Sequence, residues 1–226
     1  MKSKILSIAV LSSLVILAGC EFDNYDEPQS TLTGNVTYNG SNVGVRSGAT
    51  QLELWQYGYA LRQKIPVHIS QDGTFSTRLF DGNYKLVRLA GAPWSNQTDS
   101  ISVTVSGSTT VDVPVTPYYV ITSPSFTYTS GTKTISGSGL VTKVGTANIT
   151  SVTLYVGVTN IVDANNNSQN TTISGAALAD LSTPKNLSIV LNTANQARQY
   201  VFVRMGVLSA GSAERFYTPV QKVALQ

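Results

Sequence analysis

Apolar and polar residues alternate along most of this chain from Leu32 onward, and that period of two limits the possible folds more than any other feature. The segment Leu32–Tyr38 alternates and then stops at Asn39-Gly40, a pair that readily adopts the positive backbone dihedrals of a tight hairpin turn. No helical period competes convincingly before residue 117. Because alternation over about four to eight residues is typical of half-buried strands, the sequence predicts an all-β fold.

The first half of the chain contains enough short alternating segments for one complete β-sandwich. They are Leu32–Tyr38, Thr50–Gln56, Lys64–Ile69, Thr74–Thr77, Tyr84–Leu89, Ile101–Val105 and Thr109–Val115. Pro114 and Pro117 should then interrupt pairing, because proline lacks the amide hydrogen that a sheet ladder requires. We therefore predict a domain boundary at this point, with an N-terminal sandwich over residues 31–117.

The second half predicts another sandwich over residues 118–226, of the immunoglobulin or fibronectin type. Its expected strands are Tyr118–Tyr128, Lys133–Val141, Ile149–Thr159, Leu187–Leu191, Tyr200–Leu208 and Phe216–Ala224. The segment Thr172–Leu181 is the one plausible short helix, with Ala176, Ala177 and Leu178 between Ser174 and Pro184. A single continuous barrel formed by both halves is the alternative.

The N-terminus resembles a bacterial lipoprotein leader. Lys2 and Lys4 introduce an apolar run over residues 5–17, which has the length of a secretory signal and is too short to span a bilayer. The run ends at Leu17-Ala18-Gly19, directly before Cys20, the only cysteine of the chain. This lipobox-like pattern implies that residues 1–19 are a signal peptide and that Cys20 carries fatty acids such as palmitate. An ordinary buried cysteine is the alternative.

Residues 20–30 form a predicted acidic tether, which holds four of the twelve acidic residues of the chain. It resembles the export signal that follows the lipidated cysteine in surface lipoproteins of the Bacteroidota. The resemblance implies a lipid-anchored protein of the outer membrane that faces the cell exterior. A flexible tether without a sorting role is the alternative, as is an anchor that faces the periplasm.

Composition excludes several classes of function. The formal charge is +3 and falls to +1 without Lys2 and Lys4, and the remaining basic residues form no patch that nucleic acid requires. Apart from Cys20 no cysteine is present, so burial alone must stabilise the fold, without disulfide bonds. His68 is the only histidine, which leaves no zinc set and no convincing general base. We expect no metal and no cofactor.

The acidic residues do not predict hydrolysis either. Glycoside hydrolases need two carboxylates roughly 5–9.5 Å apart across the sugar bond. No pair stands out among Glu53, Asp72, Asp81, Asp99, Asp112, Asp163, Asp180 and Glu214. The segment Asp163–Asn170 begins like a calcium loop, but Ser168 and Ser174 stand where an EF-hand needs glycine and glutamate, so a polar hairpin loop is favoured. We therefore expect a protein that is not an enzyme.

Sugar binding without catalysis requires less: flat aromatic faces for stacking, with amide and carboxylate groups for the hydroxyls. One strand places a set of such side chains on the face opposite Leu52 and Leu54, and a later turn adds two more. The candidates are Glu53, Trp55, Tyr57 and Tyr59 on the strand, with Trp94 and Asn96 in the turn. In the alternative interpretation, Trp55 covers an edge or inter-domain surface and Trp94 closes the end of a sandwich. An exposed apolar stripe also marks protein partners.

Four short segments, taken together in this order and spacing, are informative. They are Leu32-Thr33-Gly34, Asp72-Gly73-Thr74-Phe75, Leu79-Phe80-Asp81-Gly82-Asn83-Tyr84-Lys85 and Val115-Thr116-Pro117-Tyr118. Together they resemble the DUF3823 family of Bacteroidota lipoproteins. The resemblance implies a transthyretin-like (prealbumin-like) or carboxypeptidase-regulatory-like first domain and an immunoglobulin-like second domain. Transthyretin-like enzymes that hydrolyse 5-hydroxyisourate need several histidines, and this chain has only His68.

Members of that family accompany outer-membrane glycan uptake systems of the starch-utilisation type. The resemblance therefore implies a surface lipoprotein that assists glycan capture, with a polysaccharide or oligosaccharide as ligand. The alternative is a structural or assembly subunit that contacts transporter-associated outer-membrane proteins and binds no carbohydrate. A pilus adhesin subunit is a third hypothesis, but no donor segment for strand exchange is apparent.

Overall fold

The computed structural model describes residues 26–58 and 62–226, so the predictions for Cys20 and Tyr59 lie outside the described residues. The strands of the N-terminal half are β1 (Ser30–Tyr38), β2 (Ser41–Asn42), β3 (Gln51–Gln56), β4 (Lys64–His68), β5 (Thr74–Leu79), β6 (Gly82–Arg88), β7 (Ser100–Val105) and β8 (Ser108–Pro114). Those of the C-terminal half are β9 (Tyr119–Thr129), β10 (Thr134–Lys143), β11 (Ile149–Gly157), β12 (Gln169–Ser174), β13 (Lys185–Val190), β14 (Tyr200–Ser209), β15 (Phe216–Tyr217) and β16 (Gln221–Ala224). The prediction of an all-β chain with two sandwich domains is confirmed.

The N-terminal domain packs two sheets against each other. In the first, β1 lies between β5, which is antiparallel to it, and β8, which is parallel; β2 pairs with the end of β1. The second sheet has the order β4-β3-β6-β7 and is antiparallel throughout. Leu32 and Val36 of β1 are fully buried, as their alternation predicts. A Cβ atom at Gly34 would lie 1.8 Å from the carbonyl oxygen of Val111, so the close approach of β1 and β8 requires glycine there.

The C-terminal domain also has two sheets, with the orders β13-β10-β9 and β12-β11-β14-β15, and β16 pairs with β14. In the second sheet, β11 and β14 are buried on both faces along most of their length. One face contributes to the large apolar core. The other face presents Tyr155 and Tyr217, which form a separate buried cluster with Val162.

The predicted short helix over residues 172–181 is confirmed only in part, because only Gly175–Leu178 is helical, as a single-turn 3-10 helix. The residues before it, Gln169–Ser174, form the edge strand β12. Ile173 is the only large apolar residue of this strand, so alternation is too weak to identify it. The hydroxyl of its Thr172 lies 2.9 Å from that of Thr153 on the neighbouring β11. A short α-helix, which the sequence pattern did not predict, lies at Thr193–Gln196. No helix in the described part of the chain is both long and apolar enough to cross a bilayer.

A buried arginine joins the two domains. Arg204 of β14 is 1% exposed, and its guanidinium donates four hydrogen bonds, all to backbone carbonyl oxygens. Two acceptors, Val45 (3.1 Å) and Gln71 (2.6 Å), belong to the N-terminal domain. The other two, Val162 (3.1 Å) and Thr218 (2.6 Å), belong to the C-terminal domain. Carbonyl oxygens of both domains therefore solvate one cation.

The ring of Tyr217 completes the environment of this cation, with its centroid 4.4 Å from the guanidinium carbon of Arg204. Burial lowers the pKa of Arg204 to about 10, which still leaves the group protonated at neutral pH. The backbone of Gly44 passes close by, and a Cβ atom there would lie 2.4 Å from the carbonyl oxygen of Tyr217. A partly buried ion pair between Arg46 and Glu214 adds a further contact between the domains.

We expect Arg204→Met to lower the free energy of unfolding by about 3 kcal/mol, because several buried carbonyl oxygens lose their donor at roughly 1 kcal/mol or more each. Urea unfolding of the full chain measures the change. Arg198→Met is the matched control, since Arg198 is exposed and its side chain makes no hydrogen bond within the described residues. Equal stability of the two variants would contradict a role for Arg204 in joining the domains.

Candidate functional site

Trp94 does not present a face to a sugar, so that part of the predicted site is wrong. Its side chain is 1% exposed and lies where the linker between the domains folds back. Trp94 forms an isolated bridge with Pro117, and the amide of Tyr118 donates to the carbonyl of Pro93 at 3.1 Å. The indole therefore fills the junction, which agrees with the alternative interpretation of a residue that closes the end of a sandwich.

Glu53 and Trp55 share the outer face of β3, opposite the fully buried Leu52 and Leu54. The indole nitrogen of the half-buried Trp55 donates to one carboxylate oxygen of Glu53 at 3.2 Å. The ammonium of Lys64 donates to the other oxygen at 2.8 Å. Glu53 is only 8% exposed, and both oxygens already accept hydrogen bonds, so its first role is to orient Trp55.

Tyr57 is a predicted sugar-binding residue that is well exposed to solvent, at 60% of its accessible surface. It follows the last residue of β3, and the guanidinium carbon of Arg62 lies 5.7 Å from its ring centroid. The ring borders a trough of about 600 Å³ that continues across β6 and β7. Its polar side chains are Asn83, Lys85, Ser102 and Thr104.

Strand register brings these polar groups together. Asn83 pairs with Thr104 and Lys85 pairs with Ser102, and each pair is also joined by a side-chain hydrogen bond. The hydroxyl of Thr104 donates to the amide oxygen of Asn83 at 2.7 Å, which leaves the amide nitrogen of Asn83 free to donate. We call Glu53, Trp55, Tyr57, Asn83, Lys85, Ser102 and Thr104 the outer sheet face. Sequence reasoning missed its β6 and β7 members, because only the strand order places them beside β3.

Asn96 does not join this face. It is exposed, but it follows the C-terminal end of β6, whereas Tyr57 lies near the N-terminal end of that strand. Seven residues of strand separate the two ends, which corresponds to roughly 20 Å. The structure therefore divides the predicted set: Trp55 and Tyr57 remain together with Glu53, while Trp94 and Asn96 lie elsewhere.

The outer sheet face offers binding groups and little reactive chemistry. His68 is exposed at the far end of β4, where its ring nitrogen lies 3.3 Å from the amide nitrogen of Gln51. In the described ranges, no three His, Cys, Asp or Glu side chains lie close enough to hold a metal. Asp163 is fully buried, and its carboxylate accepts the amides of Asn165 and Asn166 at 2.8 and 2.9 Å, which closes a turn of the β11–β12 hairpin.

Two family models match almost the whole described chain. The model described as "Protein of unknown function (DUF3823) N-terminal domain" matches residues 30–116. The model described as "Domain of unknown function (DUF3823_C)" matches residues 119–222. No curated protein matches the sequence.

Solved structures are similar over nearly the same length. A DUF3823 family protein from Bacteroides ovatus ATCC 8483 is 37% identical, with a TM-score of 0.81 over 87% of this chain and 100% of its own. One from Parabacteroides merdae ATCC 43184 is 33% identical, with a TM-score of 0.79 over 88% and 100%. A structure from Bacteroides uniformis ATCC 8492, named "putative carbohydrate binding protein", is 18% identical, with a TM-score of 0.72 over 88% and 100%, and shares the fold.

Trp94 is buried and Tyr57 is exposed, so substitutions at the two residues should affect stability differently. We expect Trp94→Ala to lower the free energy of unfolding by about 3–5 kcal/mol, the usual cost of removing a fully buried large aromatic side chain. Tyr57→Ala should change it by no more than about 0.5 kcal/mol, as exposed substitutions do. Urea unfolding of both variants tests this, and a small effect at Trp94 would contradict its place in the inter-domain junction.

Proposed function

Because this chain belongs to the DUF3823 family, we propose that it is a non-enzymatic surface lipoprotein that captures glycans for an outer-membrane uptake system of the starch-utilisation type. The observation that carries the proposal is the exposed ring of Tyr57 beside the polar groups of the outer sheet face. A similar fold in a protein named "putative carbohydrate binding protein" supports it.

The outer sheet face suits weak, reversible sugar binding. The apolar side of a pyranose stacks on Tyr57, and the partly exposed Trp55 extends the aromatic surface along β3. Asn83 offers a free amide nitrogen, and Ser102 and Thr104 offer hydroxyl oxygens to the sugar hydroxyls. One well-exposed ring and a few hydrogen bonds give modest affinity, so a bound chain is released quickly to a transporter.

Membrane anchoring would compensate for weak affinity. Lipid chains on Cys20 confine the domains close to the membrane surface, which raises the effective concentration of the binding face near a transporter. Ser30, where β1 begins, follows Cys20 by ten residues, and an extended chain of that length reaches at most roughly 35 Å. The acidic residues of this tether support display on the outer leaflet.

A structural or assembly subunit is the second candidate function. Burial of Trp94 and Glu53 favours it, because two of the expected sugar-binding side chains are committed to internal contacts. In that case the outer sheet face contacts a transporter-associated outer-membrane protein. The two functions differ in one measurable property, which is affinity for carbohydrate in the absence of any partner protein.

We expect Tyr57→Ser to weaken binding of the full chain to its polysaccharide about tenfold, because loss of one stacking ring removes on the order of 1 kcal/mol or more. Affinity electrophoresis of the detergent-purified chain against a panel of soluble polysaccharides measures the effect. The exposed Phe80, which lies outside the outer sheet face, supplies the control variant Phe80→Ser. If the native, folded chain binds no member of the panel, the assembly function is favoured instead.

The anchor is tested separately. We expect Cys20→Ser to abolish incorporation of labelled palmitate and to move the protein from the membrane fraction to the soluble fraction, because the thiol that accepts the lipid is gone. Ser13→Ala, also in the leader, is the control. Unchanged labelling and fractionation of the Cys20 variant would exclude lipid anchoring at this residue.

A further inference from the structure

A second concave site lies between the domains, away from the outer sheet face. It is a cleft of about 520 Å³, and residues of both domains line it. The N-terminal domain contributes Asn42, Gln71 and Asp72. The C-terminal domain contributes Asn160, Phe202 and Lys222, with Arg204 at its floor.

The walls of this cleft are held in place before any ligand binds. Arg204 is fixed by carbonyl oxygens of both domains. The side chain of Gln71 also bridges the domains, since it donates to the carbonyl of Asn160 at 2.6 Å and accepts the amide of Val162 at 3.3 Å. A preformed site loses little conformational entropy on binding, so even small ligands can bind measurably.

Phe202 lines the cleft, and Tyr200 lies beside it on β14, outside the residues that line the cleft. Tyr200, Phe202 and Arg204 are alternate residues of β14, so their side chains share one face at steps of roughly 6.6 Å. Tyr200 is 39% exposed, and its ring meets the half-buried ring of Phe202 edge to face at 5.6 Å. The ammonium of Lys222 lies 3.7 Å from the centroid of Tyr200.

Side chains with unused hydrogen-bonding groups line the same cleft as Phe202. One carboxylate oxygen of Asp72 accepts from Thr74, whereas its second oxygen has no partner within the described residues. The amide nitrogen of Asn42 donates to Asn35, and its amide oxygen is not used by any other described residue. The side-chain amide of Asn160 makes no hydrogen bond in the described part of the chain.

Positive and negative side chains of the described residues around the cleft are equal in number. Arg204 and Lys222 are cationic, and Asp72 and the buried Asp163 are the carboxylates that act on Arg204. An anionic ligand therefore gains no net attraction, and the many polar groups do not suit a purely apolar one. The ring of Phe202, with unused amide and carboxylate groups in the same cleft, matches the apolar face and hydroxyl groups of a neutral sugar.

We propose that the inter-domain cleft is a second carbohydrate site, in which Phe202 stacks against a neutral oligosaccharide while Asn42, Asp72 and Asn160 bind its hydroxyls. The inference rests on the proposed glycan-binding function and adds a site that requires both domains. A chain that reaches the outer sheet face and the cleft at the same time is held by two weak sites, so its avidity exceeds either affinity.

The test is an NMR titration of the full chain in detergent with neutral hexasaccharides of glucose, xylose and mannose. Side-chain amide signals of Asn42 and Asn160 report the cleft, and those of Asn83 report the outer sheet face. We expect Asn160→Ala to weaken binding in the cleft about fivefold through loss of a hydrogen bond, and Phe202→Leu to weaken it about tenfold through loss of stacking. Asn186→Ala, at an exposed residue of β13, is the matched control.

Each outcome separates the two proposals. Shifts at Asn83 without shifts at Asn42 or Asn160 would overturn the cleft site and leave the proposed function intact. Shifts confined to the cleft would support this inference and move the binding role away from Tyr57. Failure of every hexasaccharide to bind would overturn both the proposed function and the cleft site. Tighter binding of a galacturonate hexasaccharide than of the neutral ones would contradict the proposal that the cleft ligand is neutral. Thermal unfolding of Phe202→Leu near the native temperature excludes misfolding as the cause of lost binding.

Discussion

The architecture depends on one buried guanidinium whose hydrogen-bond acceptors come from both halves of the chain. Arg204 has no carboxylate within ion-pair distance among the described residues, so carbonyl oxygens take the place of a counter-ion. Removing water from a cation is costly unless such acceptors are complete, and neither domain supplies all four. Packing of the two sandwiches against each other is therefore a condition for burying this residue.

This constraint gives the two candidate surfaces different characters. The outer sheet face belongs to the N-terminal domain alone, and its groups are aligned by the register of β3, β6 and β7. The cleft exists only where the domains meet, and its floor is Arg204 itself. Weak ligand binding on either surface requires only exposed rings, amides and hydroxyls at fixed positions.

Strand positions followed closely from alternation wherever one face was apolar and the other polar, as in β1 and β10. The prediction of strands failed where the two faces of a strand did not differ clearly in polarity. Strand β12 has Ile173 as its only large apolar residue, so the apolar Ala176, Ala177 and Leu178 after it suggested a longer helix than the single 3-10 turn that forms. Among the candidate site residues, alternation correctly placed Glu53 and Trp55 on one face, but it could not reveal that Lys64 neutralises Glu53.

The sequence alone determined that the chain forms short strands joined by turns. Its single cysteine means that burial must stabilise these strands without disulfides, and its single histidine offers few ligands for a metal. Tertiary structure decided which aromatic rings remain in contact with solvent. Trp94 and Tyr57 both have polar neighbours in sequence, yet Trp94 is buried beside the inter-domain linker and Tyr57 is exposed. The reason is that alternation reports which side of a strand a residue occupies, whereas exposure depends on what distant segments pack against that side.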